Sequence, residues 1–232
     1  MNRSIFITGA TGALGQIVSN ILLTADYSLI IPYRNQDKFD SIFNTFLSNG
    51  NVTGIKADLS SINGIEELHK EMKIKKLSFD ACVHLMGGFQ MGTLIADTPL
   101  SDFDKMFSLN FQSALSVFQL AFNHFRKTGG KIIAIGARPA LEFPPFMGAY
   151  SISKAALMNL LQSMANEGKA YSISTHCIIP SIIDTPANRK AMPDEDYSKW
   201  TSPESIAKTI LQILELDAPG ITHSVIELYN QA

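Results

Sequence analysis

Tyr150 and Lys154 are the residues of this sequence whose types and spacing best suit acid–base chemistry. They stand four residues apart, and on a helix they would share one face, one turn apart. An ammonium ~4 Å from a phenol is worth ~4 kcal/mol at an effective dielectric constant of ~20. Lys154 would then lower the pKa of Tyr150 from about 10 toward neutrality. The spacing predicts a tyrosine that donates a proton, with a surface pair of no function as the alternative.

A glycine-rich turn follows the first predicted strand. Three glycines at a spacing of three occur between residues 8 and 15, just before a predicted helix. Such glycines permit tight turning and close approach to a pyrophosphate, which free N–H groups and the helix dipole stabilise. The alternative is a tight turn without a ligand. The context favours dinucleotide binding by Gly9, Thr11, Gly12, Ala13, Leu14 and Gly15.

Two charged residues follow the next two predicted strands. Arg34 stands where a carboxylate would bind both ribose hydroxyls of NAD, and an arginine there suits a 2′-phosphate. NADP(H) is therefore favoured as the cofactor, with NAD(H) possible and a solvated arginine as the alternative. Asp58, followed by Leu59, could accept a hydrogen bond from the adenine amino group or cap the next helix.

The elements that must position these residues alternate along the chain. Short β-branched runs and longer amphipathic stretches indicate βα units on a parallel sheet. We expect an α/β, Rossmann-type, doubly wound parallel sheet of about seven strands with helices on both faces. The predicted strands are Ser4–Thr8, Ser28–Pro32, Val52–Lys56, Asp80–Leu85, Lys131–Ile135, Ser174–Ile179 and Val225–Leu228. The predicted helices are Leu14–Thr24, Gln36–Ser48, Ile62–Met72, Asp102–Lys127, Tyr150–Lys169 and Ser202–Glu215.

The composition restricts the classes of function. With 232 residues, 46% of them apolar, the chain suits one nucleotide-binding domain over residues 1–232. Its net charge is −2, so no basic field would attract nucleic acid or an anionic membrane. Cys82 and Cys177 lie in apolar runs, which suits reduced thiols, and no ligand spacing indicates a metal site. We expect a cytoplasmic protein that acts on a small molecule, because neither a leader nor a membrane-spanning run is evident.

The glycine-rich turn and the Tyr-x-x-x-Lys pair about 140 residues later resemble the short-chain dehydrogenase/reductase family. The resemblance extends over essentially the whole chain. It implies that Tyr150 is the catalytic acid/base, that Lys154 binds nicotinamide ribose and lowers the tyrosine pKa, and that Asn110 orders a water near the lysine. It also implies cofactor contacts by Met86, Gly87, Gly88, Lys154, Pro180, Ile183 and Thr185.

Departures from the family pattern are informative. Ala137 replaces the usual serine, so no hydroxyl there can hold a ketone oxygen, and ordinary carbonyl reduction is in doubt. His84, at the end of an apolar run, is interpreted as a satisfied buried residue rather than a base.

The dihydropteridine reductase branch of the family also has alanine at that position. The stretch from Asp184 to Pro193, with Trp200 further on, resembles this branch closely. Two residues disagree, since the branch typically prefers NADH, with an acidic residue near Arg34, and lacks the asparagine that Asn110 supplies.

We therefore expect NADPH-favouring hydride transfer to a small conjugated acceptor, as in dihydropteridine reductases. General carbonyl or quinone reduction and a non-catalytic NADP(H) sensor are the alternatives. Residues 186–200 are expected to form a substrate lid. The expected substrate pocket comprises Ala137, Phe146, Met192 and Trp200, although lid side chains that only pack the loop onto the body are an alternative. A homodimer or homotetramer is expected from the resemblance.

Overall fold

Seven strands form one parallel sheet in the computed structural model, which describes residues 3–218 and 220–230. The strands are β1 (Ser4–Thr8), β2 (Ser28–Tyr33), β3 (Val52–Lys56), β4 (Ala81–His84), β5 (Gly130–Ile135), β6 (Ile173–Pro180) and β7 (His223–Leu228). Their order across the sheet is β3-β2-β1-β4-β5-β6-β7, and each neighbouring pair is parallel. This is the expected Rossmann-type sheet.

Helices connect the strands and cover both faces of the sheet. The α-helices are α1 (Ala13–Thr24), α2 (Gln36–Ser48), α3 (Ile62–Ile74), α4 (Leu100–Phe107), α5 (Ser113–Thr128), α6 (Pro139–Glu142), α7 (Gly148–Gly168), α8 (Pro186–Ala191) and α9 (Pro203–Glu215). Single turns of 3₁₀-helix lie at Ile95–Asp97, Lys169–Tyr171 and Tyr197–Lys199. No helix among the described residues is long and apolar enough to cross a membrane.

The sheet is doubly wound because its strands are apolar on both faces. In β1, Ile5 and Ile7 belong to one buried core, whereas Phe6 belongs to the other. Successive side chains of a strand point to opposite faces, so a run of apolar residues needs cover on both sides. Helices α1, α2 and α9 pack on one face, and α3, α5 and α7 pack on the other.

The strand order brings the ends of β1 and β4 together at the carboxyl edge of the sheet. Thr8 pairs with His84, and the chain then leaves β1 toward one face and β4 toward the other. Open α/β sheets bind ligands at such a reversal of strand order. The turn after β1 and the loop after β4 therefore lie side by side at this edge.

The predicted helix Asp102–Lys127 is interrupted in the structure. Helix α4 passes into a π-helical turn at Ser108–Gln112 before α5 begins. A π-turn adds one residue to a local helical turn, which the overall 3.6-residue periodicity does not reveal. Asn110 lies inside this turn and is completely buried, so the irregularity falls on a predicted site residue.

Candidate active site

The turn after β1 owes its shape to its glycines. Gly9 has a φ of +74°, and a Cβ there would lie 2.8 Å from the backbone N of Met86. The N–H of Gly12 donates to the carbonyl of Gly9 at 2.9 Å. A Cβ on Gly15 would lie 2.1 Å from the Gly9 oxygen, so a side chain at either end would force the turn apart. Glycine is therefore required at these positions, because the turn backbone approaches the loop after β4 and the start of α1 too closely for a side chain.

The start of α1 lacks the side-chain cap that α2, α3, α8 and α9 have. Asn35, Ser61, Thr185 and Ser202 each accept a hydrogen bond from the third residue of the helix they precede. Helix α1 follows Gly12, which offers no side-chain acceptor, and its first turn contains no acidic residue. The first-turn N–H groups of α1 could therefore hold an anionic group such as a pyrophosphate.

Arg34 and Asp58 form an exposed cluster at the ends of β2 and β3. The Arg34 Nη1 atom lies 3.9 Å from Asp58 Oδ2, and the arginine side chain is 77% exposed. Asp58 Oδ1 accepts hydrogen bonds from Ser60 Oγ at 2.6 Å and Ser60 N at 3.0 Å. These bonds, aided by Arg34, hold the pKa of Asp58 below its usual value. Asp58 thus shapes the turn before α3, while Ser61 caps the helix.

Asn110 joins the loop after β4 to the helix that carries Tyr150. Its Oδ1 atom accepts from the N–H of Gly88 at 2.7 Å, and its Nδ2 atom donates to the carbonyl of Gly88 at 3.1 Å. Nδ2 also donates to Ser153 Oγ at 2.9 Å, and Ser153 Oγ donates to the carbonyl of Tyr150 at 2.8 Å. A buried carboxamide thus clamps both backbone groups of Gly88 and connects them to α7.

Lys154 lies beside this clamp, below Gly87. Its side chain is buried, and Nζ donates to the carbonyl of Ile135 at 2.9 Å. A Cβ on Gly87 would lie 2.9 Å from Asn110 Oδ1 and 3.2 Å from Lys154 Nζ, so glycine leaves these two groups uncovered. Burial lowers the pKa of Lys154 to about 8.

The phenol of Tyr150 is in a different electrostatic state from the one expected. Burial raises the pKa of Tyr150 to about 12, and its ring packs edge-on against Phe89 at 5.0 Å. The expected lowering by Lys154 is wrong for this arrangement, because burial of the phenol dominates its pKa and the Lys154 Nζ atom donates to the carbonyl of Ile135. Tyr150 therefore keeps its proton at neutral pH.

His84 is buried, as expected, but it is not fully satisfied, because its Nε2 atom has no hydrogen-bond partner among the described residues. It is 1% exposed, and its Nδ1 atom shares a hydrogen bond with Thr8 Oγ1 at 2.8 Å. Burial, together with repulsion from Lys154, lowers the pKa of His84 to about 3. A neutral imidazole with this pKa is a poor base at neutral pH.

The segment at residues 186–200 packs back onto the loop that precedes it. Thr185 Oγ1 accepts from the N–H of Asn188 at 3.3 Å, and Asn188 Nδ2 donates to the carbonyl of Ile183 at 2.8 Å. Arg189 donates two hydrogen bonds to the carboxylate of Asp184, at 2.5 and 2.7 Å. These contacts fix the start of the segment as helix α8.

Trp200, which was predicted to line the substrate pocket, is buried in the structure. Its side chain is 3% exposed and packs against Tyr197, with ring centroids 4.8 Å apart. The Tyr197 hydroxyl donates to the carbonyl of Pro193 at 3.0 Å. These two aromatic residues therefore hold the segment onto the body, which is the alternative that the sequence left open.

The other predicted pocket residues differ in exposure. Phe146 is 48% exposed and Met192 is partly exposed, whereas Ala137 is buried at the end of β5. The remaining predicted cofactor residues lie at or just beyond the ends of β3, β4 and β6. They are Leu59, Met86, Pro180, Ile183 and Thr185.

Two residues that the sequence analysis did not assign to the site belong to it. Ser153 connects Asn110 to Tyr150, and Phe89 packs on the Tyr150 ring. Ser153 lies inside the Tyr-x-x-x-Lys motif, and this position was the feature of the sequence that could have indicated its role. The partner of Phe89 depends on how the loop after β4 folds, which periodicity does not report.

The geometry agrees with what comparisons with known proteins find. The family model "short chain dehydrogenase" matches residues 3–196. A dihydropteridine reductase of Dictyostelium discoideum is 26% identical over 215 residues, which cover 91% of this chain and 87% of that protein. A D-beta-hydroxybutyrate dehydrogenase of Rhizobium meliloti (strain 1021) is 24% identical over 215 residues, which cover 91% of this chain and 83% of that protein.

The fold also matches solved structures. One, described as "ElxO with NADP Bound", superposes with a TM-score of 0.86 at 23% identity and covers 98% of each chain. This likeness confirms the Rossmann-type architecture. Because the family model matches most of the sequence, the chain belongs to the short-chain dehydrogenase family and is an oxidoreductase enzyme.

Proposed function

We propose that this protein transfers a hydride from NADPH to a small, flat, conjugated acceptor, in the manner of a dihydropteridine reductase. The observation that carries the proposal is the placement of Lys154 and the Asn110 clamp beside the exposed Gly87, with Ser153 linking the clamp to the backbone of Tyr150. These groups can supply a proton and a positive charge at one point of the sheet edge. Ala137, which follows β5, offers no hydroxyl to hold a ketone oxygen.

The residues present fit a nicotinamide dinucleotide. The glycine turn and the uncapped start of α1 suit a pyrophosphate, and the bare Gly87 leaves room beside Lys154. Arg34 would bind the 2′-phosphate of NADP, in line with the NADP-bound relative in structure. When bound, the reduced nicotinamide supplies the hydride.

The proton comes from the chain's own groups. Tyr150 keeps its phenolic proton at neutral pH because burial holds its pKa at about 12. It would release that proton only to an acceptor that has become strongly basic on taking up the hydride. Lys154, whose ammonium is charged below about pH 8 and is directed at the carbonyl of Ile135, would bind the nicotinamide ribose rather than lower the pKa of the phenol.

A conjugated imine fits this site better than a ketone does. Such an acceptor is electron-poor and needs less polarisation of its reacting bond, so the missing hydroxyl at Ala137 matters less. The similarity to the Dictyostelium dihydropteridine reductase supports the same class of substrate.

The remaining features follow from this assignment. One nucleotide-binding domain would span residues 1–232, and residues 186–200 would cover the nicotinamide as a lid anchored by Trp200. The outer faces of α5 and α7 are the surfaces proposed to join copies of the chain into a homodimer or homotetramer.

Stopped-flow mixing of the NADPH-loaded protein with quinonoid dihydropterin tests the proposal. We expect loss of NADPH absorbance well above the protein-free rate, together with formation of tetrahydropterin. The variant Tyr150→Phe should slow this step by roughly 10²–10⁴-fold while NADPH still binds. No loss of absorbance with wild-type protein would exclude the pterin acceptor.

The same measurement separates the alternative functions. Turnover on a panel of ketones or quinones but not on the pterin would assign the site to general carbonyl or quinone reduction. NADPH binding without turnover on any acceptor, unaffected by Tyr150→Phe, would indicate a sensor.

A further inference from the structure

Five apolar side chains are exposed around the entrance to the site. They project from the loop after β4 and from the connection between α6 and α7. Each is about half exposed or more, although large apolar groups of this kind are usually buried. We call them the apolar rim: Phe89 (54% exposed), Met91 (54%), Ile95 (63%), Phe143 (68%) and Phe146 (48%).

The rim is continuous with the proposed proton donor. The ring of Phe89 meets that of Tyr150 edge-on, with centroids 5.0 Å apart and planes at 80°. An acceptor that receives a proton from Tyr150 must lie against this aromatic pair. Phe89 is 54% exposed, so the part of its ring that does not contact Tyr150 is available to the acceptor.

Backbone contacts join the two halves of the rim. The N–H of Gly92 donates to the carbonyl of Phe146 at 2.9 Å. Ile95 packs onto Gly148 so closely that a Cβ on that glycine would lie 2.5 Å from Ile95 Cγ1. Gly148 begins the helix that carries Tyr150. The rim is therefore fixed relative to the catalytic helix rather than attached to a free loop.

Two of the rim residues are held in an unfavourable backbone conformation. Phe143 has a φ of +52° and Phe146 a φ of +65°. Bulky residues rarely adopt left-handed backbone, and such strain is concentrated at binding and active sites. Here the strain places two phenyl groups outward, at the entrance.

We propose that the apolar rim binds an uncharged, apolar substituent of the acceptor. None of the five side chains carries charge or a strong hydrogen-bonding group, so a hydroxylated or charged substituent would lose water there without gaining a partner. This inference rests on the proposed function. It narrows the substrate class to flat conjugated rings bearing an alkyl or aryl group.

Two acceptors whose side chains have the same carbon skeleton test the proposal. One is a quinonoid dihydropterin with a 6-propyl side chain, and the other carries a 6-(1,2-dihydroxypropyl) side chain on the same ring. Each accepts one hydride from NADPH and one proton to give the tetrahydropterin and NADP⁺. We expect kcat/KM for the propyl compound to be at least about tenfold higher, mainly through KM.

Substitutions at the rim should remove this preference. Phe143→Asn and Phe146→Asn keep a residue that tolerates left-handed backbone, so both variants should fold. We expect each to raise KM for the propyl compound several-fold more than KM for the dihydroxypropyl compound, so that the preference between the two compounds falls. Ile62→Asn removes an equally exposed apolar side chain at the start of α3 and should change neither.

A binding measurement separates this proposal from the proposed function. The fully oxidised pterins with the same two side chains are fluorescent, and their titration into the NADP⁺-loaded protein involves no turnover because no hydride donor is present. Tighter binding of the propyl pterin, lost in Phe146→Asn, is the expected result. Equal binding of the two pterins would overturn the rim assignment. A binding preference without turnover of either dihydropterin would leave the rim in place and overturn the proposed function.

Discussion

The two parts of the sheet hold their polar groups in different ways. In the part from β1 to α3, Arg34 and Asp58 make a long contact of 3.9 Å, with side chains 77% and 38% exposed. In the part from β4 to β6, Asn110 and Lys154 are 0% and 6% exposed, and each hydrogen-bonds to backbone. The part from β1 to α3 would bind a ligand through the backbone of its glycine turn and through solvent-exposed charges. The part from β4 to β6 would bind it through buried side chains that hydrogen bonds hold in place.

This difference decides how strongly each part should respond to substitution. An exposed ion pair is screened by water and contributes at most about 1 kcal/mol. A buried hydrogen-bonding group that loses its partner costs about 1–3 kcal/mol. Large effects are therefore expected from side chains in the β4–β6 part, and from backbone geometry alone in the β1–α3 part.

The largest effect is expected at the Asn110 clamp. Asn110→Ala removes the partners of both Gly88 backbone groups and of Ser153, so the free energy of unfolding should fall by about 2–5 kcal/mol. Asn123→Ala, on the exposed face of α5, is the matched control and should change it by less than about 0.5 kcal/mol. Urea unfolding measures both changes. Equal losses of stability in Asn110→Ala and Asn123→Ala would show that the buried polar groups of the β4–β6 part are no more important for stability than exposed ones.

The second effect isolates the backbone contribution of the glycine turn. Gly9 and Gly50 have nearly the same φ, +74° and +73°. A Cβ on Gly9 would lie 2.8 Å from the backbone N of Met86, whereas a Cβ on Gly50 would have no neighbour within 4 Å. Gly9→Ala should therefore be less stable than Gly50→Ala by about 1–3 kcal/mol, the cost of overpacking alone. If the two variants unfold at the same denaturant concentration, the close approach of β1 and β4 is not needed.

The sequence predicted the sheet well because burial on both faces leaves a direct signal. The predicted and observed bounds of β1 and β3 coincide, and the other strands differ at their ends only. The glycine turn was recognisable because its backbone shape depends on which residues are glycine. Local information was sufficient for both features.

The direction of individual side chains could not be read in the same way. The Lys154 ammonium points to the carbonyl of Ile135, nineteen residues earlier, rather than acting on Tyr150. Trp200 proved to be buried, since the contacts that cover it come from the folded body. The π-turn at Asn110 is one extra residue in a long apolar pattern. These features depend on contacts between helices, strands and loops that are distant in the sequence, and the spacing of a motif does not predict such contacts.

The third prediction uses pH to measure how Lys154 is buried. Its pKa is lowered from 10.5 to about 8 in the folded protein, so between these values the unfolded chain binds more protons than the folded one. Stability of the wild type should then rise by about 1.4 kcal/mol per pH unit above pH 8 relative to Lys154→Met, which lacks the titrating group. Below pH 8 the difference between the two proteins should be constant. Unfolding at pH 6.5, 8 and 9.5 measures it, and a constant difference throughout would mean that Lys154 is solvated like Arg34.

The smallest effect is expected from the exposed charge of the β1–α3 part. Arg34→Ala should weaken NADPH binding by about twofold to fivefold, because a charge-assisted contact in water is screened. NADH has no 2′-phosphate, so its Kd should change less than about twofold. Lys38→Ala removes an exposed charge from the nearby start of α2 and is the control for general electrostatic attraction.

Salt separates a direct contact from a general field in this last case. A direct contact at Arg34 predicts that the NADPH preference over NADH falls as salt rises in the wild type and is low at every salt concentration in Arg34→Ala. Equal losses in Arg34→Ala and Lys38→Ala would instead assign the preference to the summed charge of this edge. Isothermal titration with both cofactors at 50 and 500 mM salt distinguishes the two. A loss of NADPH affinity far above tenfold in Arg34→Ala alone would show that the bound cofactor shields this arginine from water. The contrast between an exposed β1–α3 part and a buried β4–β6 part would then hold only for the protein without cofactor.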